Sequence, residues 1–282
     1  MSEPFVRPAG PGDIDLVATF LHRFMNERIE PARWRRILDD PWRPEGLEHG
    51  WLVEHDGRIV GFMATIYSDR RTRLGTRRFC DLGAWYLERS YRGSGLGQEL
   101  LGAGMQRADT TYVTLTARRA TGRRIRALGF SILDDQRALF PPRRLRSHGA
   151  LRLTDDVASL DEDARRRLAD HEGLGLVSAI VEGAGRPALV LLQRKRKGAD
   201  VLHHDLLHAS DAGLLAHHAQ DLADLLVEEG VLAIDSRFLS AGSGVPLEAI
   251  PLPRWFRPVG EIKARDVDLL YNETLLLDLK LP

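Results

Sequence analysis

The sequence predicts an α/β protein with a mixed sheet, laid down twice in tandem. Three observations predict it. Segments with strand-like and helix-like apolar spacing follow one another in the order β-α-α-β-β-β-α-β-α-β over residues 5 to 140. The same order starts again after Pro141-Pro142-Arg143-Arg144. A glycine-rich turn joins a strand directly to a helix at Tyr91 to Gly97. With 282 residues, the chain suits two domains of ordinary size, set at 1–145 and 149–282.

The elements of the first half follow from local signals. Phe5-Val6-Arg7-Pro8 is a short strand. Gly12-Asp13 opens a helix with Asp13 as N-cap, and Ile14, Val17, Phe20 and Leu21 recur at helical spacing through Met25. Pro31 starts a second helix that reaches Leu38, since a first-turn proline gives up no hydrogen bond. Trp51–Glu54 and Arg58–Tyr67 form a hairpin around Asp56-Gly57. A strand from Arg78 to Leu87 leads into the glycine turn and the helix Gln98–Ala108. The strand Thr111–Thr116, the helix Thr121–Leu128 and the strand Phe130–Phe140 complete the half.

In the second half, Ala150–Leu153 is a strand and Asp161–Asp170 a helix. Leu176–Glu182 is a strand ending in the turn Gly183-Ala184-Gly185. Pro187–Arg194 and Val201–Ala209 are strands, and Asp211–Glu229 is a long helix. Val231–Phe238 and the leucine-rich Asp268–Leu279 read as the closing strands. Tyr271, Asn272 and Glu273 in the last of these face either a shared cleft or a sheet edge.

Composition narrows the function. The chain is 43% hydrophobic and 28% charged, the balance of a globular domain. Lysine plus arginine equals aspartate plus glutamate at 40 each, and 7% of residues are aromatic, so neither nucleic acid nor an acidic membrane surface is expected as partner. One cysteine, Cys80, excludes an internal disulfide and a cysteine-based zinc site. Met1 to Gly10 is polar with two prolines, unlike a secretory leader, and no run has the apolar length of a membrane span; a cytoplasmic location is the expectation. No metal is expected: His203, His204 and His208, with His217 and His218, lack carboxylate partners at metal-site spacing and read as exposed or packing residues.

A strand, a glycine turn and a helix start make an anion site. The first N–H groups of the helix have no intrahelical partner, the helix dipole adds positive charge there, and glycines admit phosphate oxygens close to the backbone. Arg92 adds a forked donor. The turn is neither a P-loop, having no Gly-Lys-Ser/Thr, nor a dinucleotide fingerprint.

Arg92-Gly93-Ser94-Gly95-Leu96-Gly97 resembles the pyrophosphate loop of the GNAT superfamily, with Arg92, Gly95 and Gly97 at its fixed positions. Trp85-Tyr86-Leu87 resembles that family's fourth strand, and Leu128-Gly129-Phe130 the Leu-Gly-Phe after its fourth helix; the resemblance covers residues 4 to 140. It implies tandem GNAT-like domains, each a mixed, mostly antiparallel sheet flanked by helices. It implies an acyltransferase that moves an acetyl or other acyl group from acyl-CoA to an amine acceptor, a small molecule or peptide. Arg92 and the amides of Gly93, Ser94, Gly95, Leu96, Gly97 and Gln98 would hold the pyrophosphate. Tyr86 and Leu87 would flank the pantetheine and thioester, an N–H at Leu87 polarising the carbonyl.

Two departures stand out. The tyrosine that often serves as acid is replaced by Ile125, and Arg118 or Arg119 stands where an asparagine is common. Asp81 and Glu88 are the carboxylates nearest the cleft and the candidate bases. Asp81 reads equally as a salt-bridge partner of Arg77 or Arg78, and Glu88 as a cap of the loop. Cys80 reads as a buried filler. In the second half the loop position falls on Ala209-Ser210-Asp211-Ala212-Gly213, which lacks the arginine and the spaced glycines, and where Asp211 would repel a pyrophosphate. That half is therefore expected to support the first or wall the acceptor pocket. A non-catalytic acyl-CoA-binding or sensing module is the alternative function, and an oligomer is compatible with either.

Overall fold

A computed structural model describes residues 2–145, 149, 151–183, 185–240 and 244–282. Ala150, at the start of one expected strand, and Ala184, in one expected turn, lie outside the described residues. In chain order the main elements of the first half are β1 (Phe5–Pro8), α1 (Ile14–Phe24), α2 (Pro31–Trp34), β2 (Trp51–His55), β3 (Arg58–Thr72), β4 (Gly75–Leu87), α3 (Leu96–Gly104), β5 (Thr110–Thr114), α4 (Arg119–Arg126) and β6 (Ser131–Phe140). Those of the second are β7 (Arg152–Thr154), α5 (Glu162–Asp170), β8 (Val177–Glu182), β9 (Ala188–Lys197), β10 (Val201–Ala209), α6 (Ala212–Leu226), β11 (Val231–Asp235), β12 (Leu247–Arg257) and α7 (Glu273–Leu276).

All twelve described strands form one sheet in the order β1-β2-β3-β4-β5-β12-β6-β11-β10-β9-β8-β7. The order reads the same from both ends if each strand of one half is matched to its counterpart in the other. Only β4–β5 and β10–β11 pair in parallel among the described strands, and they too are counterparts. Two strands cross the middle. β12 pairs with β5 and β6, and β6 pairs with β12 and β11, so each half lends its last strand to the other. The two halves thus share one mixed, mostly antiparallel sheet.

Local chemistry explains most elements. Asp56 and Gly57 both have positive φ, 47° and 72°, as the tight β2–β3 hairpin requires. Asp161 and Asp211 cap α5 and α6 by accepting from Ala164 N–H and Gly213 N–H. Asp13 stands at the N-cap of α1, but its carboxylate accepts instead from Gly10 N–H at 2.8 Å and from the guanidinium of Arg7.

Two expectations need correction. Asp268–Leu279 is not a strand. Asn272 accepts from Thr274 N–H and Leu275 N–H and starts the short helix α7. The leucines that suggested a strand are apolar all round because the segment is sandwiched: Leu269, Leu270 and Leu275 enter a core shared with β9 and β10, while Leu276 and Leu277 enter the core under α1 and α2. The last strand is instead β12, hidden in the sequence by Pro251 and Pro253. The register explains how it tolerates them. Ala249 pairs with Gln136 and Arg254 with Asp134, so the prolines fall in a wide bulge where the ladder is interrupted.

Candidate active site

The site is built where β4 and β5 part. Their parallel pairing runs from Arg78↔Thr110 to Asp81↔Val113, while β4 continues to Leu87 without β5. On its other edge β4 carries one extra residue against β3: Ala64 pairs with Gly83 but Phe62 with Tyr86. Ala84 absorbs this bulge with a φ of 41°. The two distortions part β4 from the chain after β5, and β4 runs on from this fork into the glycine turn.

That turn has the geometry of an anion cradle. Gly93 and Gly95 have φ of 91° and 94°, in the left-handed region, and Gly95 is the N-cap of α3. Gly93, Ser94, Gly95 and Gly97 have no intramolecular hydrogen-bond partner for their N–H groups among the described residues, and Leu96 N–H has only a 3.5 Å contact to Ser94 Oγ. Gln98 N–H differs: it already bonds Gly95 O at 2.9 Å. Ser94 Oγ donates to Tyr91 O at 2.7 Å, which pins the turn. Arg92 donates from Nε to Leu87 O at 2.9 Å, and its guanidinium lies 5.3 Å from the Tyr86 ring centroid, so it braces the loop while its tip faces solvent. Leu96 is buried and anchors α3 against the sheet.

Of the two candidate bases, only Asp81 lies at the fork. It is 2% exposed, and Oδ1 has no hydrogen-bond partner. Arg78 pairs with Asp69 at 2.9 Å and Arg77 bonds Thr76 O, so neither is its partner. Glu88 stands beyond the other end of the gap. Its N–H bonds Val60 O, its carbonyl accepts from Tyr91 N–H, and its carboxylate lies 3.7 Å from Arg58.

The leucine-rich pattern around Glu273 suggests a strand; the structure brings Glu273 to the fork. The short α7 delivers it between the parted strands. Oε2 accepts from Ala84 N–H at 2.7 Å and Oε1 from Thr116 Oγ at 2.6 Å, while Glu273 N–H donates to Asp81 Oδ2 at 3.1 Å. A Cβ on Gly83 would lie 2.3 Å from Oε2, so this approach requires glycine there. The only sequence signal was three polar residues within a leucine run.

Both carboxylates are perturbed, and Glu273 acts on Asp81. Burial pushes Asp81 up to about 8, with the Glu273 charge adding to it and the Glu273 N–H and Arg70 opposing. Burial also raises Glu273, against the hydrogen bonds from Thr116 and Ala84. Cys80, beside them, is buried and its thiol is held well above its ordinary range.

The sign of the Asp81 shift gives a testable consequence. An acid whose folded pKa is raised stabilises the fold when protonated, and that contribution is lost as pH climbs from the ordinary carboxylate range of 3.8 to about 8. Asp81→Asn keeps an oxygen for Glu273 N–H and removes the titration. Its melting temperature relative to wild type is therefore expected to be more favourable at pH 8.5 than at pH 5. A difference independent of pH would mean that Asp81 does not titrate in this window.

Ile125 is buried in the core beside α3, so the hydroxyl common at that place is missing. In the second half, the β10–β11 pairing likewise ends early, at Asp205↔Ala233. There the N-terminus of α6 is occupied by its own residue: Asp211 Oδ1 accepts from Gly213 N–H at 2.8 Å. A bulge between Leu206 and His208 separates the histidines of β10: His204 Nε2 meets Glu229 O and His208 Nδ1 meets Asp268. Among the described residues no cluster of three or more metal-ligating side chains occurs, and no helix is long and apolar enough to cross a membrane.

Comparison with known proteins agrees with this architecture. Residues 17–130 match the model of the acetyltransferase (GNAT) family. No curated protein matches the chain. Among solved structures, a GCN5-related N-acetyltransferase from Anabaena variabilis is similar over 90% of this chain and 72% of its own, at 12% identity and a TM-score of 0.59. One from Kribbella flavida matches over 90% and 71%, at 15% identity and a TM-score of 0.55. An Enterococcus faecalis protein described as a probable N-acyltransferase matches over 90% and 72%, at 12% identity and a TM-score of 0.54. The forked parallel strands and the glycine cradle thus lie within the stretch that matches the GNAT acetyltransferase model, residues 17–130, on a chain whose fold is shared with GNAT structures.

Proposed function

We propose that the protein is an N-acyltransferase that moves an acetyl or other acyl group from acyl-CoA to the amine of a small molecule or peptide. The observation that carries this is the pairing of two features in one place. A run of unpartnered N–H groups at Gly93 to Gly97 faces out at the start of α3, and the β4–β5 gap opens directly below it. The first suits a pyrophosphate, since donors and helix dipole converge on an anion. The second suits an extended arm that pairs with strand backbone at Tyr86 and Leu87. Arg92, with Gly93, Ser94, Gly95, Leu96, Gly97 and Gln98, frames the phosphate end. Asp81 lies at the reacting end, and Glu88 belongs to the loop. Residues 1–145 act as the catalytic domain. Residues 149–282 act as a degenerate GNAT-like domain that does not bind CoA; the palindromic strand order and the self-capped α6 support this.

One observation favours a second reading, a binding module without turnover: the aliphatic Ile125 stands where an acid is common. Release of free CoA separates the two. Calorimetry with acetyl-CoA, propionyl-CoA and a longer acyl-CoA tests both. Saturable binding of one of them is expected, and its chain length directs the acceptor screen. Absence of binding at millimolar ligand would end the proposal.

A further inference from the structure

We propose that Glu273, carried into the fork by the C-terminal segment, is the general base that takes the proton from the acceptor's ammonium group, with Asp81 as its hydrogen-bonded neighbour. This rests on the acyltransferase reading above.

Glu273 is 6% exposed, and no lysine, arginine or histidine pairs with it among the described residues. Arg70, the cation that acts on the neighbouring Asp81, is committed to Asp268 at 3.0 Å and stacks on Phe79 and Tyr271. A buried carboxylate without a counter-charge is an expensive way to tie two strands together, because a neutral glutamine offers similar hydrogen bonds at far lower cost. A cationic ligand supplies the missing charge. The position fits that ligand: the carboxylate bridges Ala84 on β4 and Thr116 after β5, at the floor of the gap in which the thioester would lie. Gly83 leaves the space for it. The adjacent Asp81 Oδ1, buried and unpartnered, is a second acceptor for the same cation.

The step balances without any further reactant. One N–H proton of the ammonium passes to Glu273. The freed lone pair forms the C–N bond at the thioester carbonyl, and the tetrahedral intermediate collapses with cleavage of the C–S bond. The departing CoA sulfur takes the second proton from the nitrogen. Products are the amide and the CoA thiol, and Glu273 returns its proton to solvent.

The test compares wild type, Glu273→Gln and Glu273→Asp, with acetyl-CoA as donor and spermidine, lysine amide and 2-deoxystreptamine as amines. Binding of acetyl-CoA is read by calorimetry and turnover by CoA thiol release. The glutamine variant keeps an acceptor for Ala84 N–H and a polar partner for Thr116. It is therefore expected to bind acetyl-CoA within about threefold of wild type while kcat falls roughly 100-fold or more, the ordinary contribution of a general base. Its residual rate should rise with pH as free amine accumulates. The aspartate variant, which keeps the charge on a shorter arm, should recover part of kcat, and it carries the test if the glutamine variant does not fold. Wild-type kcat in Glu273→Gln overturns the inference. So does loss of acetyl-CoA binding in that variant, which would make Glu273 a structural tie, and so does a wild type that binds acetyl-CoA but acylates none of the amines. A wild type that binds no acetyl-CoA overturns the acyltransferase reading itself, a distinct result.

Discussion

Gly95→Asp is expected to weaken acyl-CoA binding by at least about 100-fold, equivalent to roughly 2.8 kcal/mol. Gly95 is the N-cap of α3 with a φ of 94°, and a Cβ there would meet no atom within 4 Å. The new side chain therefore starts in open space. It projects into the space that the unpartnered N–H groups face, where like charge opposes a pyrophosphate and where it can bond those donors itself, as Asp211 does at α6. Gly95→Ala separates charge from conformation. A left-handed alanine costs about 1–2 kcal/mol of stability and adds no charge, so its binding should fall less than that of the aspartate variant. Calorimetry with acetyl-CoA, alongside thermal melting to verify the fold, gives both numbers. Equal binding by wild type and Gly95→Asp would move the anion site away from α3.

The same loop shows what a sequence can disclose about such a site. Gly93, Gly95 and Leu96 act through local backbone geometry, so their spacing along the chain is their spacing in space. Asp81 was also legible, because a carboxylate within the strand that feeds the loop must lie near the fork. Glu273 was not. Its hydrogen bond to Asp81 spans 192 residues, and its leucine neighbours have a periodicity that suits strand and buried helix alike. The repeated element order foretold two similar halves, but not that β6 and β12 change places. Strand exchange depends on pairing between distant segments, and alternation along one strand carries no information about its neighbour. Pro251 and Pro253 concealed β12 further, since they mark a bulge that only the register reveals.

The crossing strands meet over a buried charge cluster, and Arg254→Met is expected to cost about 3–5 kcal/mol of stability there. Arg254 on β12 is 1% exposed and grips Asp235 on β11 with two hydrogen bonds, at 2.6 and 2.9 Å. Asp235 also holds Arg237, which reaches back to Asp134 on β6. Methionine fills much of the volume of arginine but leaves Asp235 with a single cation in a dry setting. Acid should expose the same linkage. Burial acts to raise Asp235, but Arg254, followed by Arg237, overcomes it and draws the carboxyl down from 3.8 to about 2. A depressed acid contributes stability that is complete above its unfolded pKa and is lost as pH falls toward its folded one. Wild type should therefore lose this contribution between pH 4 and 2, and Arg254→Met should lose less across that window because it starts with less. Thermal melts of both proteins from pH 7 to 2 provide the check. The double variant Arg254→Met with Asp235→Leu removes the uncompensated charge, and it should recover much of the loss if desolvation of Asp235 is its cause. A double variant no more stable than Arg254→Met would instead place the cost in the side-chain packing of arginine between the two halves.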